Sequence, residues 1–390
     1  NLKIQVPEAV LGVKKWECTV VSNRNISTFL KEFVVKLPEG ENLKFRSGGY
    51  IQIDIPKYDA IKFSDMDVDE KYRADWDKFK MWDLVTTNPE DTFRAYSMAN
   101  HPAEGNIIML NIRIATPPFD RVNGGFMKVN PGICSSYIFS RKPGDKVTIS
   151  GPYGEFFLPD NLPDTQELIF IGGGAGMAPM RSHLMHLFKT EKTKRPVSFW
   201  YGARALKEVP YLDEFHQIEK DFPNFSFNLA LDRPDPEADA AGVKYTPGFV
   251  HNVLYENYLK NHQAPEDCIY LMCGPPMMIA SVVKMLDSLG VFESPDSCPG
   301  IFLCYGTVPL RGRRFGNFII FVVITLKPNS IEMNIPSIFW FIPAAAVIAL
   351  LLAWAFYRAM KREDEGTPRM REIAGHVRRG AMAYLRQQYK

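Results

Sequence analysis

The sequence has almost no net charge, no closely paired cysteines and no initiator methionine. Its 46 lysine and arginine residues are balanced by 44 acidic residues, a net charge of +2. A nucleic-acid-binding protein would need a basic face, so we expect no nucleic-acid partner. The six cysteines form no C-x-x-C pair and show no zinc or iron–sulfur spacing. We therefore expect free thiols in a reducing compartment and no metal site.

The first residue is Asn1, and no signal-like segment follows it. We expect the chain to begin inside a longer gene product. Its 390 residues suffice for two or three domains.

Residues 1–160 contain short segments rich in branched and aromatic residues, such as "LKEFVVKL" and "GGYIQIDI". This pattern predicts an antiparallel β-barrel or sandwich. The charged residues 57–92 predict an inserted loop with one or two short helical turns. Residues 161–292 alternate apolar strands with helical patterns, which predicts a doubly wound parallel α/β domain.

The rest of the chain follows neither pattern. Residues 293–332 have no clear period, and we expect an irregular junction there. Residues 333–357 contain no charged residue, which predicts a transmembrane helix, since a span needs about 20 apolar residues. A buried helix of a soluble domain is the alternative. Residues 358–390 form a basic, helix-prone tail with nine basic and four acidic residues.

The segment "IFIGGGAGMAP" follows the pattern of a nucleotide-binding turn. Four glycines come directly after or at the end of an apolar strand: Gly172, Gly173, Gly174 and Gly176. They permit close approach of the backbone to a ligand. Pro179 suits the first turn of a helix, where its missing N–H would be unpaired in any case. Because a helix N-terminus attracts a pyrophosphate, we predict a nucleotide site here, with a plain tight turn as the alternative.

The acidic ribose ligand of the usual dinucleotide fold is missing from its expected place, about twenty residues after the loop. The second strand ends in "WYGAR", so Gly202 and Arg204 occupy that region. This pattern argues against the fold of the usual dehydrogenases. Arg204 either contacts the adenine ribose or a phosphate of a nucleotide, or is simply solvated.

The segment "RAYSMAN", residues 94–100, combines a cation with an aromatic ring. Arg94 and Tyr96 share one face of an extended strand. A guanidinium there could pair with a phosphate while the ring covers a flat cofactor. Surface strands often combine the same residue types, so this segment alone is weak evidence.

Two further segments complete the candidate site. In "PGICSSYIF", Gly132 and Ser135 open a short helix and predict a second anion site. In "CGPPMM", Cys273 ends the last strand of the α/β half, at the same edge as the glycine loop. The alternative for Cys273 is an inert buried thiol.

Together these segments resemble the ferredoxin–NADP reductase superfamily, in which a flavin-binding barrel precedes a nicotinamide-binding α/β domain. The resemblance implies that R-x-Y-S binds FAD, G-x-x-S its pyrophosphate, and G-G-G-x-G-x-x-P the nicotinamide dinucleotide. It implies catalytic roles for Ser97, near flavin N5, and for Cys273, beside the nicotinamide. The implied cofactor-binding residues are Arg94, Tyr96, Ser97, Asn100, Gly132, Ser135, Ser136, Gly172, Gly173, Gly174, Gly176, Met177, Pro179, Arg204, Gly274, Pro275 and Pro276.

Residues 3–291 resemble more closely one family of this superfamily, the F-subunits of sodium-pumping NADH:quinone oxidoreductases, in segments such as "IFIGGGAGMAPMRSH" and "APEDCIYLMCGPPMM". This implies NADH as donor, FAD as acceptor and other subunits of a membrane redox complex as partners. Quinone is then reached only through the complex. It also implies a bacterial inner membrane location with the catalytic domains on the cytoplasmic side. The 2Fe–2S cluster expected in full-length members has no ligands in this sequence, and the aromatic tail expected over the flavin is replaced after Val291.

Residues 333–390 resemble the start of a membrane-bound ion-pumping pyrophosphatase, without that family's aspartate-rich catalytic motifs. We therefore expect no pyrophosphate hydrolysis. The NADH-binding part and the basic tail are both expected in the cytoplasm. A single span between them would place them on opposite sides of the membrane. Our hypothesis is that a truncated reductase is joined to a fragment of a neighbouring pyrophosphatase gene.

Two other functions stay open at this point. The same two-domain core occurs in oxygenase reductase components and flavin reductases. A non-enzymatic alternative is a membrane-anchored assembly module in which residues 333–390 dock a partner.

Overall fold

The computed structural model describes residues 14–120 and 125–291, and the backbone of residues 301–304. The expected transmembrane helix at 333–357, the basic tail at 358–390 and most of the expected junction lie outside these residues. Among the described residues, no helix is both long and apolar enough to cross a bilayer.

An antiparallel barrel forms the first half of the described chain. Its strands, with those of two small hairpins, are β1 Lys15–Ser27, β2 Leu30–Lys36, β3 Tyr50–Ile55, β4 Tyr58–Lys62, β5 Val85–Asn88, β6 Thr92–Ser97, β7 Ile107–Arg113, β8 Phe119–Asp120, β9 Gly125–Phe126 and β10 Lys146–Tyr153. Six of them pair in the order β6–β3–β10–β1–β2–β7. A bridge between Met98 and Leu110 links the two edges of this sheet and closes it. The predicted antiparallel barrel is confirmed.

Period-two patterning explains the barrel core. In β3, Ile51, Ile53 and Ile55 are fully buried and alternate with partly exposed residues. Successive side chains of a strand point to opposite faces, so the three isoleucines line the interior. They join a cluster that includes Phe33 and Phe139.

The segment 57–92 is more ordered than the sequence predicted. It forms the hairpin of β4 and β5 and the helix α1, Glu70–Lys78. Tyr72 and Trp76 lie four apart on the buried face of α1. The Trp76 indole N–H donates to the carbonyl of Thr28 at 2.9 Å. Two apolar side chains among many charges are enough to fix this helix, but they are easily overlooked in the sequence.

A parallel sheet forms the second half. Its strands are β11 Leu168–Gly173, β12 Val197–Ala203, β13 Phe225–Leu231, β14 Thr246–Pro247, β15 Ile269–Cys273 and β16 Ile301–Cys304. They pair in the order β14–β13–β12–β11–β15–β16, all parallel. The remaining α-helices of the described residues are α2 Ile133–Ser140, α3 Met177–Met185, α4 Leu212–Asp221, α5 Pro236–Ala240, α6 Val250–Asn257 and α7 Pro276–Ser288.

Helices cover both faces of the parallel sheet. On one face, residues of α3 and α4 pack with Phe170 and Phe199. On the other, residues of α6 and α7 pack with Ile169 and Ile171. Because both faces are covered, β11 and β15 are buried throughout, as continuous apolar strands require. The predicted doubly wound domain is confirmed, and β16 is an additional strand within the region expected to be irregular.

Candidate functional site

The glycine loop connects β11 to α3 at the carboxyl edge of the parallel sheet. Gly174 has φ of +56°, a conformation that favours glycine, and a Cβ added there would meet nothing within 4 Å. The loop tip is therefore open to a ligand. Helix α3 begins at Met177, so Pro179 lies in its first turn as predicted. The single 3-10 turn Gly174–Gly176 leads directly into α3, and the positive dipole end of this helical segment favours an anion at the loop.

The C-G-P-P turn packs directly against this loop. Gly172 lies opposite Cys273 in the pairing of β11 with β15. A Cβ added at Gly176 would come within 2.0 Å of the Cys273 carbonyl oxygen, and one at Gly274 within 3.2 Å of the Gly173 nitrogen. The two prolines of the turn precede and begin α7. Cys273, which is 7% exposed, thus lies at the predicted edge.

Strand β6 carries the R-x-Y-S motif. The exposed Arg94 guanidinium donates to the Phe93 carbonyl at 2.7 Å and to the Thr92 hydroxyl at 3.3 Å. Tyr96 lies on the same face as Arg94, and Ser97 ends the strand opposite Tyr50. The cation and the ring are therefore arranged as the sequence predicted.

The start of α2 lies close to β6. Burial and the neighbouring Cys134 raise the pKa of Tyr96, an effect that Arg94 opposes. Burial likewise raises the pKa of Cys134, again opposed by Arg94. Since Cys134 is the second residue of α2, the R-x-Y-S and G-x-x-S motifs meet, as expected of parts of one site.

Three polar side chains proposed as cofactor ligands are used within the protein or buried in it. The Ser135 hydroxyl donates to the Gly132 carbonyl and accepts from the Ala115 N–H, both at 3.1 Å. Ser136 is completely buried. The Asn100 side chain, also completely buried, donates to a carbonyl of β7 and accepts from an N–H of the same strand. The Ser136 hydroxyl has no hydrogen-bond partner among the described residues. This hydroxyl and the backbone amides are therefore the donors left at this helix start, and ligand roles for these side chains stay predictions.

Arg204 is held by an ion pair at the carboxyl end of β12. Its guanidinium donates to both carboxylate oxygens of Glu208, from Nε at 3.1 Å and from Nη2 at 2.5 Å. This pairing raises the pKa of Arg204. The sequence showed no acidic residue at the end of β12, but the turn Leu206–Glu208 returns one to that position. The Arg–Glu spacing of four was the signal that could have revealed it.

One cluster outside the cofactor motifs combines potential metal ligands. Single atoms of Glu167, His262 and Cys268 lie within 4.8 Å of one another. The Ala264 N–H donates to His262 Nδ1 at 3.2 Å, so the neutral ring carries its proton on Nε2, directed at Glu167 3.1 Å away. Burial and Glu167 raise the pKa of Cys268 to about 12. This geometry is that of a hydrogen-bonded network, and the expected absence of a metal site stays a prediction.

Family models match both halves of the described chain. One described as an oxidoreductase FAD-binding domain matches residues 79–158, and one described as an oxidoreductase NAD-binding domain matches residues 170–284. The Na(+)-translocating NADH-quinone reductase F-subunit of Methylococcus capsulatus is 57% identical over 291 residues, which cover 75% of this chain and 69% of the relative. The chain belongs to this F-subunit family. The F-subunit of Klebsiella pneumoniae subsp. pneumoniae is 55% identical over the same shares of the two chains.

Solved structures confirm the fold of this F-subunit family member. The cytochrome P450 reductase GcoB of Amycolatopsis has a TM-score of 0.52 at 23% identity, covering 75% of this chain and 69% of that chain. The cytochrome b5 reductase domain of Ulva prolifera nitrate reductase has a TM-score of 0.53 at 18% identity, covering 75% and 97%. With the two family models, they confirm the predicted resemblance to the ferredoxin reductase superfamily.

The residues present fit FAD and NADH. The open cradle at Gly174, with a helix start behind it, suits a dinucleotide pyrophosphate. An exposed guanidinium at Arg94 beside a half-buried Tyr96 ring suits a flavin nucleotide.

Proposed function

We propose that the chain oxidises NADH with FAD as the acceptor and is the electron-input part of a sodium-translocating NADH:quinone reductase. The observation that carries this proposal is the contact of Gly176 with the Cys273 carbonyl. It joins an open nucleotide loop to the C-G-P-P turn at one sheet edge. Membership of the F-subunit family supports the same function.

When bound, FAD supplies an acceptor, at flavin N5, for the hydride of NADH C4. The chain's own residues position the reactants. Arg94 would neutralise a flavin phosphate, Tyr96 would pack against the flavin ring, and Ser97 would donate a hydrogen bond near N5. Cys273 would lie beside the nicotinamide, and the two prolines that follow in the C-G-P-P turn would form a rigid wall there.

The remaining assignments depend on this function. The FAD-binding barrel comprises residues 1–160 and the NADH-binding domain residues 161–292. Other subunits of the complex are the partners, and quinone is reached through them. Since NADH is cytoplasmic, the catalytic domains face the cytoplasm at the bacterial inner membrane.

Anaerobic reduction of the purified full chain tests the function. The wild-type protein should be yellow, contain about one FAD per chain and bleach on addition of NADH. Ser97→Ala should retain FAD but bleach roughly 100-fold more slowly, the usual cost of losing one positioned donor. Ser226→Ala, at an exposed serine of β13, is the matched control and should bleach like wild type. A flavin-loaded wild type that NADH leaves yellow would refute the proposal.

A further inference from the structure

Arg181, in α3, uses every donor of its guanidinium. Nε donates to Glu214 Oε2 at 2.8 Å, and Nη2 to Glu214 Oε1 at 3.3 Å and Glu104 Oε1 at 2.8 Å. Nη1 donates to Glu104 Oε2 at 3.1 Å and to the Ala99 carbonyl at 2.9 Å. Since arginine has five N–H donors, none is left over. We call these four residues the Arg181 network.

The network joins the two cofactor motifs. Arg181 lies five residues after Gly176, in the helix whose start forms the anion site of the glycine loop. Ala99 lies two residues after the end of β6, and Glu104 belongs to the same connection between β6 and β7. Glu214 is in α4, on the same side of the parallel sheet as Arg181. Glu104 and Ala99 are thus the contacts to the barrel, while Glu214 holds the arginine within its own domain.

The next two residues of α3 reach across the same boundary. The Ser182 hydroxyl donates to the Asn100 carbonyl at 2.7 Å. The Ser182 carbonyl accepts from the Ser47 hydroxyl at 3.0 Å. His183 Nε2 contacts the Phe156 carbonyl at 2.9 Å. The segment that follows the glycine loop is therefore bonded to the segment that follows the R-x-Y-S motif.

The charges of the network depend on one another. Arg181 is only 4% exposed, and its guanidinium lies 5.0 Å from the centre of the Tyr211 ring. Burial opposes the charge, but hydrogen bonds to Glu104 and pairing with Glu214 raise the pKa of Arg181. For Glu104, hydrogen bonds from His101 and Arg181 outweigh burial and lower its pKa to about 2. Glu104 and Glu214 keep side-chain exposures of 23% and 39%, whereas that of Arg181 is 5%. Removing either carboxylate would therefore leave part of the buried Arg181 charge uncompensated, which favours the one geometry that pairs it with both.

We propose that Arg181 is a positioning residue that holds the glycine loop in place against β6, the strand that carries the R-x-Y-S motif. This inference rests on the proposed function. Hydride transfer depends steeply on the placement of the donor carbon and the acceptor nitrogen. Because all five donors of Arg181 are bonded within the protein, it acts through Ala99 and Glu104 on one side and through α3 on the other.

The proposal predicts that neutralising Glu104 and neutralising Glu214 slow hydride transfer to different extents. Glu104 carries the contact between domains and Glu214 does not. Glu104→Gln should therefore slow hydride transfer more than Glu214→Gln. A purely structural role in packing α3 would give the reverse order, because Glu214 is the partner within the α/β domain.

Single-turnover bleaching of the full-length flavoprotein by saturating NADH is the test. Arg181→Lys cannot form both bidentate pairs and should lower the limiting rate about 10- to 100-fold. Its FAD content and its dissociation constant for NAD+ should change less than about 3-fold. Deuterium at the transferred position of NADH should slow the bleaching of Arg181→Lys by a larger factor than it slows that of wild type. Arg195→Lys is the matched control, since Arg195 also makes several bonds, to the Leu162 and Pro163 carbonyls within the α/β half.

A second readout needs no turnover. In the chain without nucleotide, hydrogen exchange in residues 98–104 and 177–185 should be faster in Arg181→Lys than in wild type. In Arg195→Lys both segments should exchange as in wild type. Unchanged limiting rates in both Arg181→Lys and Glu104→Gln would overturn the proposal. So would a rate loss matched by lost FAD or by faster exchange throughout the chain. A wild type that NADH does not bleach would instead refute the proposed function.

Discussion

At the scale of the single residue, Gly176 shows how closely the two nucleotide-side loops approach each other. Its φ of −62° is an ordinary helical value, so backbone strain does not require glycine here. The requirement is steric, because a Cβ would lie 2.0 Å from the Cys273 carbonyl oxygen. That oxygen belongs to the backbone of a buried strand and cannot move aside as a flexible side chain would.

Gly176→Ala should therefore separate the glycine loop from the C-G-P-P turn. We expect a loss of roughly 1–3 kcal/mol in the stability of the NAD-binding half, the usual cost of overpacking, and weaker binding of NAD+. Thermal unfolding and titration with NAD+ measure the two effects. Gly125→Ala is the control, since a Cβ there meets nothing within 4 Å. Equal behaviour of the two variants would show that the loops can separate without cost.

Residue types led to a candidate site, but they do not show which bonds each side chain forms. The sequence predicted Ser135 and Asn100 as cofactor ligands, and those roles stay predictions. It does not reveal that the Ser135 hydroxyl bonds to Gly132 and Ala115, or that Asn100 bonds to β7. The bonds to Ala115 and β7 join different elements and are fixed only when the barrel closes.

At the scale of the element, regular patterns were predictable and short exceptions were not. Strands β11 and β15 were evident as continuous apolar runs, because both of their faces are buried, whereas the short strands β14 and β16 were not predicted. Helix α1 was predicted only as one or two short helical turns, because Tyr72 and Trp76 are its only buried residues in a highly charged segment. The turn Leu206–Glu208 was missed because three residues carry no period.

That turn leads to a prediction on donor choice. Glu208 holds Arg204 at the carboxyl end of β12, where the sequence showed no acid. Glu208→Gln should free the guanidinium for the 2′-phosphate of NADPH. A charge-assisted hydrogen bond is worth roughly 1.5–3 kcal/mol. We therefore expect the ratio of bleaching efficiencies, NADPH over NADH, to rise about 10-fold.

Glu256→Gln breaks an exposed pair of the same spacing, with Lys260 in the turn after α6, and is the control for Glu208→Gln. It should leave the ratio of NADPH to NADH unchanged. If Glu208→Gln also leaves this ratio unchanged, Arg204 does not face the adenosine ribose.

At the scale of the whole described molecule, the barrel has one hydrophobic core and the parallel sheet has one on each of its faces. Polar contacts connect the barrel to the α/β half across their boundary. Each core could be predicted from the period of its own segments. The boundary could not, because Arg181, Ser182 and His183 have no period that reveals their partners. Their contacts depend on how two independently patterned halves meet.

His183 makes this boundary sensitive to acid. It is 3% exposed, and burial lowers its pKa to about 4, against an ordinary value of 6.5. Between these values the unfolded chain binds a proton that the folded chain does not, so stability falls as the pH drops below 6.5. At pH 5 the loss should be about 2 kcal/mol. Glu104, whose pKa is lowered to about 2, adds a further loss only below its ordinary value of 4.5.

His183→Gln isolates this contribution, because the amide nitrogen of glutamine can donate to the Phe156 carbonyl as Nε2 does, yet does not titrate. Thermal unfolding at pH 7 and pH 5 should show a smaller decrease in Tm for His183→Gln than for wild type. At pH 5, hydrogen exchange in residues 98–104 should be faster in wild type than in His183→Gln, whereas at pH 7 the two proteins should exchange at similar rates. Equal decreases in the two proteins would assign the acid sensitivity to other groups. A smaller decrease in the variant would show that the contact between the nucleotide helix and the barrel depends on a histidine that stays neutral.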